Sequence, residues 1–512
     1  MTDTDATASA PLVLILGLGE TGAAAARWCA RQGAALRVAD TRAEPAGLDA
    51  LRAALACAQV QYRLGADPLP ADLLEGVSQV VVSPGLALDQ PPAGALVAAA
   101  RERGIEVVGE IELFARALAQ LSAERGYAPS VLAVTGTNGK TTVTALTRHL
   151  VQACGLAVRS AGNIGPAALA ALIEALEQDA LPQVWVLELS SFQLATTASL
   201  SLDAAAVLNL SQDHLDWHGD MAAYAAAKAR ILEHARVRVL NRDDPQVAGM
   251  VATLADRSVR SFGREAPARV GDMGLDHSHG VAWLASGEPT DFDEPAPAAP
   301  PRRRKDKDAP APARAEARMV RMMPVDALRI RGLHNALNAQ AALLLARSLE
   351  LPWGALLRAV REYEGEPHRM EFVRAVAGVD FIDDSKGTNV GATAAGLEGL
   401  GRKAVLIAGG LGKGQDFGPL VGPVASHARA VVLIGQDGEL IGRALAPAGV
   451  PSVAAASLEE AVRQAHALAQ PGDAVLLSPA CASMDMFRNY VHRGQAFAAA
   501  VQELALERGE VA

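Results

Sequence analysis

The sequence predicts an α/β protein with three domains: a Rossmann-like N-terminal domain, a P-loop ATPase-like central domain and a Rossmann-like C-terminal domain. Apolar runs rich in β-branched residues alternate with helical patterns, which is typical of parallel sheets covered by helices. The chain has 512 residues, enough for roughly three domains of ordinary size. The motifs described below place these domains at residues 1–108, 109–366 and 367–512.

The composition limits the classes of partner and compartment. Half of the residues are apolar and 20% are charged, so large buried cores are possible. The formal net charge of −10 argues against nucleic acid or an anionic membrane as the main partner. The four cysteines show no paired spacing, which suits a reducing compartment. Because no apolar run is long enough to span a membrane and the N-terminus lacks a signal-peptide pattern, we expect a cytoplasmic protein.

The first domain opens with a strand that runs into the glycine-rich turn Gly17-x-Gly-x-x-Gly22 and an alanine-rich helix. A second strand ends at Asp40, followed by Thr41 and Arg42, and a third strand ends in a Ser-Pro-Gly loop at residues 83–85. Loops at the carboxyl ends of parallel strands bind nucleotides, with the diphosphate at a helix N-terminus. The pattern predicts a domain for a nucleotide or a nucleotide sugar. An alternative role for Asp40 is to cap a turn.

The central domain carries a second glycine-rich turn, between the buried strand 131–134 and a helix. The turn has the sequence Gly136-Thr-Asn-Gly-Lys140-Thr141-Thr142, a shorter form of the phosphate-binding loop than GxxxxGK[ST]. Its backbone N–H groups and the helix N-terminus favour a phosphate chain. Lys140 is expected to reach the outer phosphates and Thr141 to hold Mg²⁺. The predicted ATP-binding residues of the loop are Gly136, Thr137, Asn138, Gly139, Lys140, Thr141 and Thr142.

Other polar residues of the central domain follow its strands. Glu188 ends the apolar strand 184–188, where a carboxylate beside a phosphate loop is a candidate Mg²⁺ ligand. Asn163 lies in a tight turn, Gly162-Asn-Ile-Gly-Pro166, before a helix. His214 and His218 are four residues apart, but the Glu of the metalloprotease arrangement is missing, so zinc is disfavoured.

The composition changes sharply between Glu288 and Arg318. Seven prolines lie between Pro289 and Pro312, interleaved with alanines and a basic run at 302–307. Such a segment cannot bury enough apolar surface to order itself, so we predict a disordered insertion at about 288–318, at the tip of a hairpin. An alternative is that the basic run docks an acidic partner.

In the third domain, polar loops again follow the strands. The strand 379–382 runs into Asp383–Asn389, the strand 404–408 into a glycine-rich loop, and the strand 474–477 into Ser478–Asp485. These loops and the segment before the first strand carry cations and hydroxyls, which suit anionic ligands: Arg369, Lys386, Lys413 and Ser483. Cys481 lacks a paired His and is predicted to be buried rather than nucleophilic.

Together these stretches resemble the Mur ligases, the ATP-dependent amino-acid-adding enzymes of bacterial cell-wall precursor synthesis. The resemblance covers nearly the whole chain apart from the proline-rich insertion. It is carried by the phosphate loop and by Gly162-Asn-Ile-Gly165, Glu188-Leu-Ser-Ser-Phe-Gln193, His334-Asn-x-x-Asn338 and Pro367-His-Arg369. Within the family, the segments 384–389 and 478–483 resemble the member that adds D-glutamate. Gly387 stands where Ala is usual, and Tyr490 where Phe is expected.

The resemblance implies an ATP-dependent, peptide-bond-forming ligase of peptidoglycan synthesis. ATP would phosphorylate the L-alanine carboxylate of UDP-N-acetylmuramoyl-L-alanine, and the D-glutamate amine would attack the acyl phosphate to give a tetrahedral intermediate that expels phosphate. It implies two Mg²⁺ ions, a carbamylated Lys228, closure of the domains around the site and a monomer.

An alternative is another Mur-type or folylpolyglutamate ligase. A nicotinamide-dependent dehydrogenase would rest only on the first glycine turn and Asp40. A nucleotide switch would need an Asn-Lys-x-Asp element that is absent from the sequence.

The resemblance also assigns roles to individual residues of this chain. The implied catalytic residues are Lys140, Asn163, His214, Lys228 and Lys386. The implied metal ligands are Thr141, Glu188, His214 and Lys228, and ATP would additionally contact Asn338, Arg369 and Asp384. The UDP-substrate set is Gly19, Thr21, Asp40, Thr41, Arg42, Ser83, Gly85 and Asn163. The D-glutamate set is Lys386, Thr388, Lys413, Ser483 and Tyr490.

Overall fold

The computed structural model describes residues 10–290 and 313–510. Its N-terminal part is a five-stranded parallel sheet in the order β3-β2-β1-β4-β5. The strands are β1 (Leu12–Leu16), β2 (Ala35–Asp40), β3 (Val60–Leu64), β4 (Val77–Val82) and β5 (Glu106–Val108), and the helices are α1 (Glu20–Arg31), α2 (Leu48–Ala54) and α3 (Gly94–Glu102). Helix α4 (Glu110–Arg125) leads into the next sheet.

The central part is a six-stranded parallel sheet in the order β11-β10-β9-β6-β8-β7. Its strands are β6 (Ser130–Thr135), β7 (Val158–Gly162), β8 (Val184–Glu188), β9 (Leu202–Val207), β10 (Ala235–Asn241) and β11 (Val259–Phe262). Its helices are α5 (Lys140–Ala153), α6 (Ala168–Glu177), α7 (Ser191–Ala195), α8 (Leu215–His218), α9 (Met221–Glu233), α10 (Pro245–Ala248), α11 (Leu333–Arg347) and α12 (Trp353–Glu362).

The central strands are buried on both faces, which explains their continuous apolar runs. Every residue of β8 and of β9 is buried, as expected for a parallel sheet with helices on each side. Trp185 of β8 is fully buried and meets Phe114 of α4 edge to face, with 5.3 Å between the ring centroids. Helix α4 therefore packs one face of the central sheet, while α5, α11 and α12 cover the other.

A small three-stranded antiparallel sheet follows the central one, and the proline-rich insertion lies between its second and third strands. Its strands are β12 (Met273–Ser278), β13 (Val281–Glu288) and β14 (Arg318–Pro324), and Glu288 pairs with Arg318. The two ends of the insertion thus lie side by side on one hairpin, as predicted. Residues 291–312, which include the basic run, lie outside the described residues.

The prediction of disorder as far as residue 318 is wrong at its C-terminal end. Arg314 is 5% exposed, and its guanidinium donates to Asp272 Oδ1 at 2.6 Å and to the Val270 carbonyl at 3.1 Å. Ala313 and Glu316 also form bridges to Asp256 and Arg269. The alanines around Arg314 resemble the linker in composition, but the buried ion pair orders this segment.

The C-terminal part is a six-stranded sheet in the order β15-β16-β20-β17-β18-β19, in which only the β15–β16 pair is antiparallel. Its strands are β15 (Glu371–Val376), β16 (Val379–Asp383), β17 (Ala404–Gly409), β18 (Ala428–Ile434), β19 (Ser452–Ala454) and β20 (Ala474–Leu477). Its helices are α13 (Val390–Gly399), α14 (Val421–His427), α15 (Gly438–Leu445), α16 (Leu458–Leu468) and α17 (Tyr490–Glu507). Among the described residues, no helix is long and apolar enough to cross a membrane.

Candidate active site

The phosphate loop joins β6 to α5, and its glycines are required by close contacts. A Cβ on Gly139 would lie 2.6 Å from Asn338 Oδ1, and one on Gly136 would lie 3.0 Å from Leu208 Cβ. Both glycines also have positive φ, at +83° and +149°. Helix α5 begins at Lys140, whose Nζ donates to the carbonyls of Gly136 at 2.9 Å and Thr137 at 2.8 Å. The Lys140 side chain thus folds back onto the carbonyls of its own loop. The N-terminus of α5 can still attract an anion.

Glu188 brings three of the predicted residues together at the carboxyl ends of adjacent strands. Its Oε2 accepts a hydrogen bond from Thr141 Oγ1 at 2.8 Å, and its Oε1 accepts one from Asn163 Nδ2 at 2.8 Å. The carboxylate is 2% exposed. Its oxygens and the Thr141 hydroxyl are the ligand type that Mg²⁺ prefers.

Lys228 reaches the phosphate loop from the buried side of α9. It is 2% exposed, its Nζ donates to the Gly136 carbonyl at 2.8 Å, and it lies 4.7 Å from the centroid of the Tyr224 ring. Burial, together with the positive charge of Lys140, holds the pKa of Lys228 well below its ordinary value. The neutral amine is therefore favoured at this position beside the phosphate loop.

His214 lies at the edge of the same centre in a left-handed backbone conformation with φ +54°. Its ring contacts Phe192, with centroids 4.8 Å apart. Burial lowers the pKa of His214, and the negative charge of the neighbouring Asp213 opposes this shift without cancelling it. A neutral imidazole is the form that can bind a metal ion.

His214 and His218, for which the sequence disfavoured zinc, both lie against Phe192. His218 Nε2 lies 2.8 Å from Ser191 Oγ, and its ring stacks on Phe192. Among the described residues, the group of three potential metal ligands found together is His368, Glu371 and Asp383, in which His368 Nδ1 is already 2.7 Å from Asp383 Oδ2.

A cavity of about 310 Å³ opens between the phosphate loop and the C-terminal part. Asn338, Arg369 and Asp384, the three residues predicted to contact ATP outside the loop, all line it. Burial raises the pKa of Asp384 to about 7, although Ser478 Oγ donates to its Oδ2 at 2.7 Å. Most of the other residues that line this cavity were not among the predicted site residues. They include Leu208, Phe262, Ile330, His334, Asn335, Leu337 and Met370.

A second cavity, also of about 310 Å³, lies at the carboxyl ends of the N-terminal strands. It is lined by all seven residues predicted there for the UDP part: Gly19, Thr21, Asp40, Thr41, Arg42, Ser83 and Gly85. Asn163, the eighth residue of that set, lies beside Glu188 instead.

Asp40 also forms the turn contacts that were its alternative role. Its oxygens accept from Leu18 N at 2.7 Å and from the Arg42 backbone and guanidinium at 2.7–2.9 Å. Burial alone would raise the pKa of Asp40, but these hydrogen bonds outweigh burial and lower it to about 2. The carboxylate therefore shapes the loop that surrounds the cavity.

The predicted D-glutamate residues lie in three neighbouring loops and, for Tyr490, at the start of α17. Lys386 Nζ lies 3.7 Å from the centroid of the Tyr490 ring, and the Lys386 carbonyl accepts from Thr388 N at 2.8 Å. Lys413 is exposed and Ser483 is buried. Their loops are joined by the antiparallel bridge between Leu411 and Ala482.

Arg493, which no sequence pattern singled out, holds two of these loops together. It is 1% exposed, and its guanidinium donates to Ser385 Oγ at 3.0 Å, to the Ser385 carbonyl at 2.8 Å and to the Cys481 carbonyl at 3.1 Å. Cys481 itself is fully buried, as predicted. A basic residue on an amphipathic helix usually faces solvent, so its spacing alone did not reveal this role.

Comparison with known proteins agrees with these three parts. Residues 11–109 match the Mur ligase MurD-like N-terminal domain, residues 134–288 the Mur ligase middle domain, and residues 368–481 the Mur ligase glutamate ligase domain. The chain belongs to the Mur ligase family. The predicted fold class and the predicted ligase class are both confirmed, and the dehydrogenase alternative is not supported.

Close relatives extend over the whole chain. The UDP-N-acetylmuramoylalanine–D-glutamate ligase of Bordetella bronchiseptica is 69% identical over 506 residues, covering 99% of this chain and 98% of the relative. That of Bordetella avium is 67% identical over 519 residues, covering 100% and 99%. The MurF ligase from Thermotoga maritima in complex with ADP has a TM-score of 0.55 at 15% identity, covering 93% of this chain and 96% of that one, and shows the shared fold.

Proposed function

We propose that this protein is an ATP-dependent ligase that joins D-glutamate to UDP-N-acetylmuramoyl-L-alanine in peptidoglycan precursor synthesis. The observation that carries this function is the 67–69% identity, over the whole chain, to curated ligases of that name. The geometry supports it, because one cavity is lined both by the phosphate loop, at Asn138 and Gly139, and by Lys386 of the loop proposed to hold D-glutamate. A monomer in the cytoplasm stays a prediction from the sequence.

In the first half-reaction, the γ-phosphoryl group of ATP passes to the alanine carboxylate and ADP leaves. Phosphoryl transfer needs positioning and charge neutralisation more than covalent help from the protein. Lys140 and the N-terminus of α5 would supply positive potential at the phosphates. Asn163, hydrogen-bonded to Glu188 at 2.8 Å, would orient the carboxylate that accepts the phosphoryl group.

The donor set at Glu188 fits Mg²⁺. Thr141 and Glu188 offer oxygen ligands to one ion, and the neutral imidazole of His214 with a carbamylated Lys228 would serve a second. When bound, Mg²⁺ neutralises the charge that develops on the transferred group. A lysine becomes a carbamate only as the neutral amine, which is the state that burial of Lys228 favours.

In the second half-reaction, the amine of D-glutamate attacks the acyl carbon and phosphate is expelled as the amide forms. Lys386, Thr388, Lys413, Ser483 and Tyr490 would hold the amino acid with its amine directed at the acyl phosphate. Holding both reactants in one geometry is the main contribution that a ligase of this kind can make.

The direct test is phosphate release with ATP, Mg²⁺ and UDP-N-acetylmuramoyl-L-alanine, in which D-glutamate is compared with L-glutamate, L-alanine and diaminopimelate. Release with D-glutamate alone supports the proposed function. Release with another amino acid would keep the mechanism but reject the specificity. No release with any of them would reject the proposed reaction.

The pH dependence of D-glutamate use should follow Lys386. Burial, with the nearby charge of Arg369, lowers the pKa of Lys386 to about 8. The ammonium form that pairs with a substrate carboxylate is therefore present below that pH and is lost as the pH rises through it. Between pH 7 and pH 9 the KM for D-glutamate should rise about 10-fold, in proportion to the loss of the charged form.

The variant Lys386→Arg separates this effect from titration of D-glutamate itself, because a guanidinium stays charged over that range. Its KM, whatever its absolute value, should change less between pH 7 and pH 9. The surface variant Lys403→Arg serves as the matched control and should keep the pH profile of the unmodified enzyme. A KM that stays flat to pH 9 in the unmodified enzyme would contradict the assignment.

The proline-rich insertion should not be needed for turnover. Replacing residues 291–312 by a short Gly-Ser linker keeps Arg314 and its partner Asp272, and should leave kcat within about 2-fold, since insertions at hairpin tips tolerate change. Removing residues 288–318 also removes Arg314, leaves Asp272 buried without its partner, and should cost about 3–5 kcal/mol of stability. A large fall in kcat in the shorter deletion would show that the insertion takes part in function.

A further inference from the structure

The phosphate loop and the amino-acid loop touch through a pair of asparagines. Asn389 Nδ2 donates to Asn138 Oδ1 at 2.9 Å, and Asn138 Nδ2 donates to Asn389 Oδ1 at 3.2 Å. The two side-chain amides thus exchange hydrogen bonds in both directions across the boundary between the central and C-terminal parts. Asn389 is only 7% exposed and Asn138 is half-buried, so the pair is partly shielded from solvent. Two such bonds fix both the separation and the relative orientation of the loops.

Each asparagine is held rigidly on its own side. Asn138 N donates to Asn209 Oδ1 at 2.8 Å, and the Asn138 carbonyl accepts from Asn209 Nδ2 at 3.0 Å. Asn389 is the N-cap of α13, with its Oδ1 accepting from Ala392 N at 2.9 Å. Movement of either loop is therefore passed to the other through short, well-anchored side chains.

The backbone around the pair is adapted to close approach. A Cβ on Gly391, in the first turn of α13, would lie 3.0 Å from Ser211 Oγ and 3.1 Å from Asn138 Nδ2. At the other end of α13, the His334 ring lies between two glycines, where a Cβ on Gly332 or Gly399 would come within 2.7–2.8 Å of it. Helix α13 thus contacts the central part at both of its ends.

The position of the pair connects the two halves of the reaction. Asn138 belongs to the loop that would hold the ATP phosphates, two residues before Lys140. Asn389 follows Thr388 and lies three residues after Lys386, in the loop proposed to hold D-glutamate. We infer that the Asn138–Asn389 pair is a positioning contact that holds α13 against the phosphate loop, and so places the D-glutamate amine against the acyl phosphate. This inference rests on the proposed function for the identity of the amino acid.

Asn389→Ser is the variant that isolates the contact. Serine keeps the N-cap of α13 but is too short to reach Asn138. We expect kcat to fall about 10- to 100-fold, in line with the cost of small misplacements of reacting groups. The KM for D-glutamate should rise, while the KM for the UDP substrate and the melting temperature should stay close to those of the unmodified enzyme. A loss of general stability would not produce this split.

A double-mutant cycle tests whether the two asparagines act as one contact. Asn138→Ala leaves the backbone bonds to Asn209 in place and should resemble Asn389→Ser. The kcat of the double variant should then equal that of the single variant with the lower kcat. Effects that simply multiply would overturn the inference, as would unchanged kcat and KM in Asn389→Ser.

Gly391→Ala provides an independent test, in which kcat should fall although the stability of α13 should not. Alanine favours the helical conformation, so α13 itself should not be weakened. The added methyl group would nevertheless push α13 away from Ser211 and Asn138, so kcat should fall. Gly422→Ala in α14 is the matched control, because a Cβ there meets nothing within 4 Å, and its kcat should not change.

Small-angle X-ray scattering with a non-hydrolysable ATP analogue and Mg²⁺ separates this inference from the proposed function, since it needs no amino acid. The unmodified protein should have a smaller radius of gyration with the analogue than Asn389→Ser does. An equal radius for both proteins would overturn the positioning role. Absence of D-glutamate-dependent phosphate release by the unmodified enzyme would instead reject the proposed substrate.

Discussion

Replacing Lys228 by alanine should lower kcat by about 10²- to 10³-fold, the cost expected when one charge-stabilising group is removed from a closed site. Lys228 is buried, donates to the Gly136 carbonyl at 2.8 Å and has a pKa held well below its ordinary value. As a carbamate it would turn a cation beside the phosphates into an anion that can bind a metal. Acetate or formate can occupy the space left by the side chain, and should restore part of the activity of Lys228→Ala.

Two further observations decide between the carbamate and a free amine. If the carbamate is needed, the unmodified enzyme should lose activity in buffer freed of CO₂ and regain it with bicarbonate. Lys403→Ala is the control, because this lysine is exposed, donates to the carbonyls of Ser426 at 3.1 Å and Ala428 at 3.3 Å, and has no part in the proposed site. Full activity of Lys228→Ala would reject any role for this residue in the reaction.

Glu188→Gln should produce a loss of similar size. The substitution keeps the shape of the side chain that meets Thr141 and Asn163, but it removes the negative charge proposed to bind Mg²⁺. We expect kcat to fall about 10²- to 10³-fold, because a bound metal contributes several kcal/mol to transition-state stabilisation. The Mg²⁺ concentration that gives half-maximal activity should rise, as measured by phosphate release over a titration of the metal.

Glu112→Gln is the matched control for that experiment. Glu112 is also a buried carboxylate, 1% exposed, which accepts from Ala198 N at 2.7 Å and Ser199 N at 2.8 Å. These contacts lie just before β9 begins, at the opposite end of the strands from the phosphate loop. Its substitution should cost about 1–3 kcal/mol of stability by disturbing these hydrogen bonds, with little change in kcat or in the Mg²⁺ requirement. If Glu188→Gln behaves like Glu112→Gln, the proposed metal ligand is wrong.

The sequence was most informative where one strand and the loop after it form a complete binding element. The phosphate loop and the end of β8 could be recognised separately, and their meeting follows from adjacent parallel strands in one sheet. The same argument explains why all seven predicted residues of the N-terminal part line one cavity. Local patterns and sheet geometry were sufficient there.

The sequence was least informative where distant segments pack together. Phe262 and Ile330 belong to the wall of the nucleotide-sized cavity, but each has the pattern of an ordinary core residue. Arg314 lies in an alanine-rich stretch that resembles the preceding linker, and its order is visible only in tertiary contacts such as the ion pair with Asp272 and the bridges of Ala313 and Glu316. In each case the decisive partner is distant along the chain, so no local period or spacing reports it.

By itself, then, the sequence determined the fold class, the phosphate loop, the nucleotide-binding pattern of the first domain and the resemblance to the Mur ligases. These features depend on short-range spacing, which fixes strands, turns and helix starts. Only the tertiary structure decided that Asn138 meets Asn389, that Arg493 joins the loops of the C-terminal part, and that Lys228 is buried beside the phosphate loop. Those contacts depend on how separately folded sheets approach one another, and their energies come from burial and hydrogen bonding between residues distant along the chain.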